Sequence, residues 1–131
     1  MSKENKISIG SVGWVDLTVN NTEEIRSFYE NVIGFQSAPV PMGEYNDYTM
    51  LSPDDNIPYA GICNNKGPNK NLPPYWLIYF NVSDIELCCE NVKALGGELL
   101  FEPKNMSGYG KYCVIKDPAG AYCALFEPIE K

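Results

Sequence analysis

Any chemistry in this chain is done without histidine, because none occurs in its 131 residues. The residue that stands out is Asp16, set in Trp14-Val15-Asp16-Leu17-Thr18-Val19, a run with the alternation of a strand. A carboxylate among a strand's apolar positions is costly unless something pairs with it. Three roles fit. It binds a cation or hydrogen-bonds a ligand, it acts as a general base, or it is structural and bonded to a tyrosine or a loop N–H. Trp14 has the parity of Asp16, and its indole either stacks on a flat or cationic ligand or packs in the core.

Other reactive types are weaker candidates. A nucleophilic cysteine wants a base, and the five cysteines have no histidine to pair with. Cys88-Cys89 sit in a helical pattern and Cys63, Cys113 and Cys123 in strand patterns; no C-x-x-C spacing suggests zinc, so reduced structural thiols are expected. Ser107-Gly108-Tyr109-Gly110-Lys111 is either a hairpin turn or a flap that brings Tyr109 and Lys111 to a ligand, and it lacks the phosphate-loop spacing. Asp54-Asp55 lacks the spaced oxygens of a calcium loop. The net charge of −7 and the single arginine, Arg26, argue against nucleic acid and anionic membrane as partners. No run approaches the ~18 apolar residues of a membrane span, and the opening residues are polar, so a cytoplasmic protein is expected.

The elements that position these residues occur twice. Trp14–Val19 aligns with Leu77–Val82, which makes Tyr79 the counterpart of Asp16. Ile25, Phe28, Tyr29, Val32 and Ile33 recur at helical spacing and stop at Gly34; Ile85, Cys88, Cys89, Val92 and Leu95 do the same and stop at Gly96-Gly97. Asn21 with Glu24, and Ser83 with Glu86, read as capping boxes. Strands are expected at 47–52, 59–63, 98–101, 111–116 and 121–126, with a loop over 104–110. Each copy is then βαβββ. Repeat one covers about 11–63, a linker 64–75, and repeat two about 76–128, within a single domain spanning 1–131. The fold class is α+β: two repeats sharing a curved mixed sheet, with helices outside and a concave pocket. Asp16 and Tyr79 are expected on that concave face.

This organisation resembles the vicinal oxygen chelate superfamily of glyoxalase, bleomycin-resistance and extradiol dioxygenase proteins. The residues that carry the resemblance are Ser27-Phe28-Tyr29-Glu30-Asn31-Val32-Ile33-Gly34-Phe35, Val82-Ser83-Asp84-Ile85, Ala94-Leu95-Gly96-Gly97 and Lys116-Asp117-Pro118-Ala119-Gly120-Ala121. The resemblance implies the glyoxalase/bleomycin-resistance fold. In metal-dependent members, four ligands come from the first and last strand of each repeat. Carried over, those places are Trp14, Gly61, Leu77 and Ala124, and none has a side chain that binds a divalent cation. No metal and no cofactor are therefore expected, nor metal-dependent glyoxalase or extradiol dioxygenase activity. The resemblance implies a homodimer that binds a small molecule in a metal-independent pocket, contacted by Trp14, Asp16, Gly61, Leu77, Tyr79, Ala124, Tyr109 and Lys111. Two alternatives stay open: a lyase, isomerase or dioxygenase-like enzyme that uses Asp16 or a tyrosine, and a structural or regulatory module with a vestigial pocket.

Overall fold

A computed structural model describes residues 8–106 and 108–129. It divides into two compact modules, one of residues 14–76 and one of residues 8–13 with 77–129. Ser107 of the glycine loop and the first seven residues lie outside the described set.

The first module runs β1 (Val12–Val19), α1 (Thr22–Ile33), β2 (Gln36–Pro41), β3 (Asn46–Leu51) and β4 (Pro58–Asn64), β1 beginning two residues ahead of it. Its strands lie in the order β2-β3-β4-β1. Strands β1 and β4 are parallel, with Asp16 opposite Gly61; β2–β3 and β3–β4 are antiparallel. Alternation sends Val15, Leu17 and Val19 to one face, where they pack with Ile25 and Tyr29 of α1 and with Met50, Ala60 and Ile62. Trp14, Asp16 and Gly61 therefore lie on the helix-free face. Gly34 ends α1 with φ 96°, a backbone that an L side chain resists, and its N–H closes on the Glu30 carbonyl.

The second module repeats the plan: β5 (Trp76–Asn81), α2 (Ile85–Ala94), β6 (Glu98–Leu99), β7 (Lys104–Met106), β8 (Gly110–Lys116) and β9 (Tyr122–Pro128). Strands β5 and β9 are parallel, with Tyr79 opposite Ala124, the register equivalent of Asp16 opposite Gly61. Strand β8 pairs antiparallel with β9, β6 and β7. Ile85, Cys89, Cys113, Ile115 and Leu125 form the core under α2, with the Cys89 and Cys113 sulfurs 3.7 Å apart. The segment before Trp14 belongs here: the Gly10 N–H donates to the Asn81 carbonyl at 2.8 Å, and the Asn81 N–H to the Ser11 carbonyl at 2.9 Å. The architecture is α+β, as the periodicities require.

Four local expectations need correction. Asn21 makes no capping bond; its backbone, at φ −124° and ψ 58°, departs from the extended geometry of a capping residue, and its amide donates to the Glu24 carboxylate at 3.0 Å. The cap of α2 is Asp84, not Ser83, and its carboxylate accepts from the Leu87 N–H at 3.1 Å. The stretch expected as loop from 104 contains β7, whose pairing with β8 supplies partners for its backbone. Only Ile25 and Tyr29 of the α1 apolar set pack against the sheet. Phe28, Val32 and Ile33 are 54%, 62% and 58% exposed.

Candidate functional site

On the helix-free face of the first module the Trp14 indole N–H donates to Asp16 Oδ1 at 2.6 Å. Indole nitrogen only donates, so the carboxylate is the acceptor in this pair. Gly61 makes the arrangement possible. A Cβ there would overlap Asp16 Oδ1 and lie 3.4 Å from Trp14 Nε1, so the carboxylate fills the volume that a side chain at 61 would take. Cys63 follows two residues along β4. Burial first, and then the nearby charges of Asp16 and Asp47, push its thiol far above the ordinary range and keep it protonated.

The helix-free face of the second module is aromatic. Tyr79, 7% exposed, stacks with Tyr112 at a ring separation of 6.2 Å and an interplanar angle of 30°. Phe101, which packs against the core under α2, meets Tyr112 edge-on at 5.6 Å, and the Lys104 ammonium lies 5.2 Å from the Phe101 ring centre. Leu77 and Ala124 are buried on the same side as Tyr79. Tyr112 and Phe101 were missed by the sequence reading. Parity within β8 groups Tyr112 with Val114, but only the pairing of Val114 with Ala124 ties that face to Tyr79.

The two candidates of the glycine loop lie in different surroundings. Lys111 is on the α2 side of β8, 3.4 Å from the Glu86 carboxylate, because it shares the parity of Cys113 and Ile115, which face α2. Tyr109 stands at a turn tip and is 71% exposed. Glu127 accepts the Ile85 N–H at 2.9 Å and so satisfies a free donor at the start of α2. An apolar groove of about 330 Å³ opens beside α2, lined by Cys88, Val92, Leu95, Ile115 and Pro118; none of the residues picked from the sequence lines it.

The family's metal positions do not fit a metal. Trp14 and Gly61 in one module, and Leu77 and Ala124 in the other, offer indole, hydrogen and alkyl groups. Among the described residues, no group of three or more His, Cys, Asp or Glu side chains is placed to hold an ion.

Residues 11–125 match the Glyoxalase/Bleomycin resistance protein/Dioxygenase superfamily. The chain belongs to that superfamily. It is similar to the Mycobacterium tuberculosis protein CFP32, whose given name proposes a glyoxylase, at 27% identity over 91% of this chain and 44% of that one. It is 26% identical to the anthracycline biosynthesis protein DnrV of Streptomyces peucetius, over 89% of this chain and 46% of that protein. The chain thus spans less than half the length of these curated relatives. The methylmalonyl-CoA epimerase of Mycobacterium tuberculosis superposes with a TM-score of 0.62 at 14% identity, covering 98% of this chain and 96% of that one, a likeness of fold. No helix among the described residues is long and apolar enough to cross a membrane.

Proposed function

We propose that this protein binds a flat, conjugated small molecule against the helix-free strand face of its second module, without a metal ion. The observation that carries the reading is the stacked pair of Tyr79 and Tyr112 beside the buried Leu77 and Ala124. The part-exposed Tyr112 ring, backed by the buried Tyr79, is a surface on which a planar π-system can stack. Trp14, Asp16 and Gly61 offer an indole and a carboxylate on the corresponding face of the first module. The name of DnrV adds support, since anthracyclines are fused planar rings. Tyr109 stays in this reading as an exposed contact at the turn, and Lys111 leaves it. The donor set at the family's metal positions supports metal independence.

Native mass spectrometry of the freshly purified protein tests this. The expected spectrum shows a small organic mass that is lost on denaturation. About one Zn, Ni, Fe or Mn per chain after mild purification would overturn the metal-free part. Turnover of hemithioacetal or catechol substrates with added divalent metal would move the protein to the enzyme reading. The same spectrum reports assembly. We expect a homodimer, supported by the apolar Phe28, Val32 and Ile33 left exposed on α1. The five cysteines are all free thiols, which supports a reducing, cytoplasmic setting.

A further inference from the structure

We infer that Cys89 and Cys113 form a redox-responsive pair, which hydrogen peroxide converts to a disulfide tying α2 to β8 and which a thiol reductant reopens. The inference goes beyond the small-molecule reading and does not depend on it.

The geometry comes first. The two sulfurs are 3.7 Å apart in the core of the second module, one on the sheet-facing side of α2 and one on the α2-facing side of β8. Disulfide sulfurs are about 2.0 Å apart, so each has to move by less than about 1 Å. The side chains packed with them, Ile85, Ile115 and Leu125, are apolar, so the loss of two S–H groups strands no hydrogen-bond partner there. The other thiols are placed differently. Cys63 belongs to the first module, Cys88 borders the apolar groove, and Cys123 lies opposite Ile115, two residues along β8 from Cys113. Tyr112, next to Cys113, points to the helix-free face, so the bridge forms without touching the Tyr79 ring pair.

Both thiols start protonated. Burial above all raises them, and their contact lowers Cys89 while it raises Cys113 further. Cys89 is also the less buried, 5% exposed against 0%, so it reacts first. Its thiolate attacks one peroxide oxygen, the O–O bond breaks, and a sulfenic acid and one water form. The Cys113 thiolate then attacks the Cys89 sulfur, the S–O bond breaks, and a second water leaves. The two thiols lose two electrons and two protons, and the peroxide becomes two waters. The reaction is slow, because peroxide reaches the pair when α2 and β8 part locally. The bridge joins residues 24 apart in sequence, and so restricts the unfolded chain.

The test uses the full chain, reduced and then held overnight with hydrogen peroxide at pH 8 without denaturant. Remaining thiols are blocked in urea. Trypsin then leaves Cys113 in residues 112–116, and Cys88 with Cys89 in residues 71–93. The expected product joins these two peptides through Cys113 and Cys89, assigned by fragmentation in a mass spectrometer and retained in Cys88→Ser. Dithiothreitol should split it. The urea midpoint of the oxidised chain should exceed that of the reduced chain by about 1 M or more. Cys89 and Cys113 still present as thiols overturn the inference, as does linkage of Cys113 to Cys88 or Cys123. A cross-linked form with an equal or lower midpoint also overturns it, since the bridge would then distort the core. The wild-type chain supplies both readings, so a variant that misfolds does not spare the inference.

Discussion

Asp16 and Gly61 face each other across the parallel pair β1–β4, and the carboxylate of the first occupies the volume that the second leaves empty. Their neighbours face the other way. Ile62, next to Gly61, is fully buried under α1. Two adjacent residues of β4 thus serve different purposes, and substitutions separate them.

Ile62→Ala should cost about 2–5 kcal/mol, because it opens a cavity in a packed core. Gly61→Ala should cost clearly less, since the atom it displaces is the end of an Asp16 side chain that can rotate. Urea midpoints of the two variants decide this. Equal losses would mean that the β4 backbone yields rather than the carboxylate.

Tyr48 is buried and donates its hydroxyl to Glu23 at 2.6 Å, with the Arg26 guanidinium 4.6 Å from the Tyr48 ring centre. The Tyr48 hydroxyl above all holds the Glu23 carboxyl below its usual value of 4.5; desolvation opposes it, and the Arg26 guanidinium adds to the lowering. With a lower value in the folded chain, the unfolded chain binds the proton more readily. The resulting stability is present above about pH 4.5 and is lost as pH falls through the folded value. Tyr48→Phe should therefore be less stable than wild type at pH 7, with the gap narrowing by pH 3. A gap of constant size across that range would assign Tyr48 to packing alone.

The thiols predict the opposite limb. Burial first of all lifts Cys63 and Cys113 well above their usual value of 9.0. Above about pH 9 the unfolded chain releases protons that the folded chain keeps, so stability is complete below that pH and falls as pH rises. The melting temperature should drop between pH 8 and pH 10. Iodoacetamide at pH 8 should label Cys63, Cys89 and Cys113 slowly in the native protein and quickly in urea. Rapid native labelling of Cys113 would contradict its burial.

Helix α2 is started by two carboxylates from different places. Asp84 accepts the Leu87 N–H, and Glu127 accepts the Ile85 N–H from 42 residues away in sequence. Asp84→Ala and Glu127→Ala should each cost about 1 kcal/mol, and the double variant should depart from the sum, because two like charges at one helix N-terminus interact with each other. Chemical denaturation of the single and double variants measures it. A neutral Glu127→Ala would show that water replaces the carboxylate without loss.

The sequence by itself determined the elements and their doubling. The apolar spacing of Ile25–Ile33 and Ile85–Leu95 required two helices, Gly34 and Gly96 ended them, and the alternation about Asp16 placed that residue opposite the helix-facing valines. Those signals are local, because backbone periodicity is written into neighbouring residues. Tertiary structure decided who meets whom. Gly61 lies opposite Asp16 only because β4 pairs with β1 in one register, and a slip of one residue would set a helix-facing side chain there instead. Tyr112 stacks on Tyr79 through strands brought together by β9, and Lys111 and Glu127 turn toward α2 as one pair of that same ladder. Register and cross-strand contact are made by segments tens of residues apart. No local pattern encodes them, since their energy is shared among all the side chains that the pairing buries.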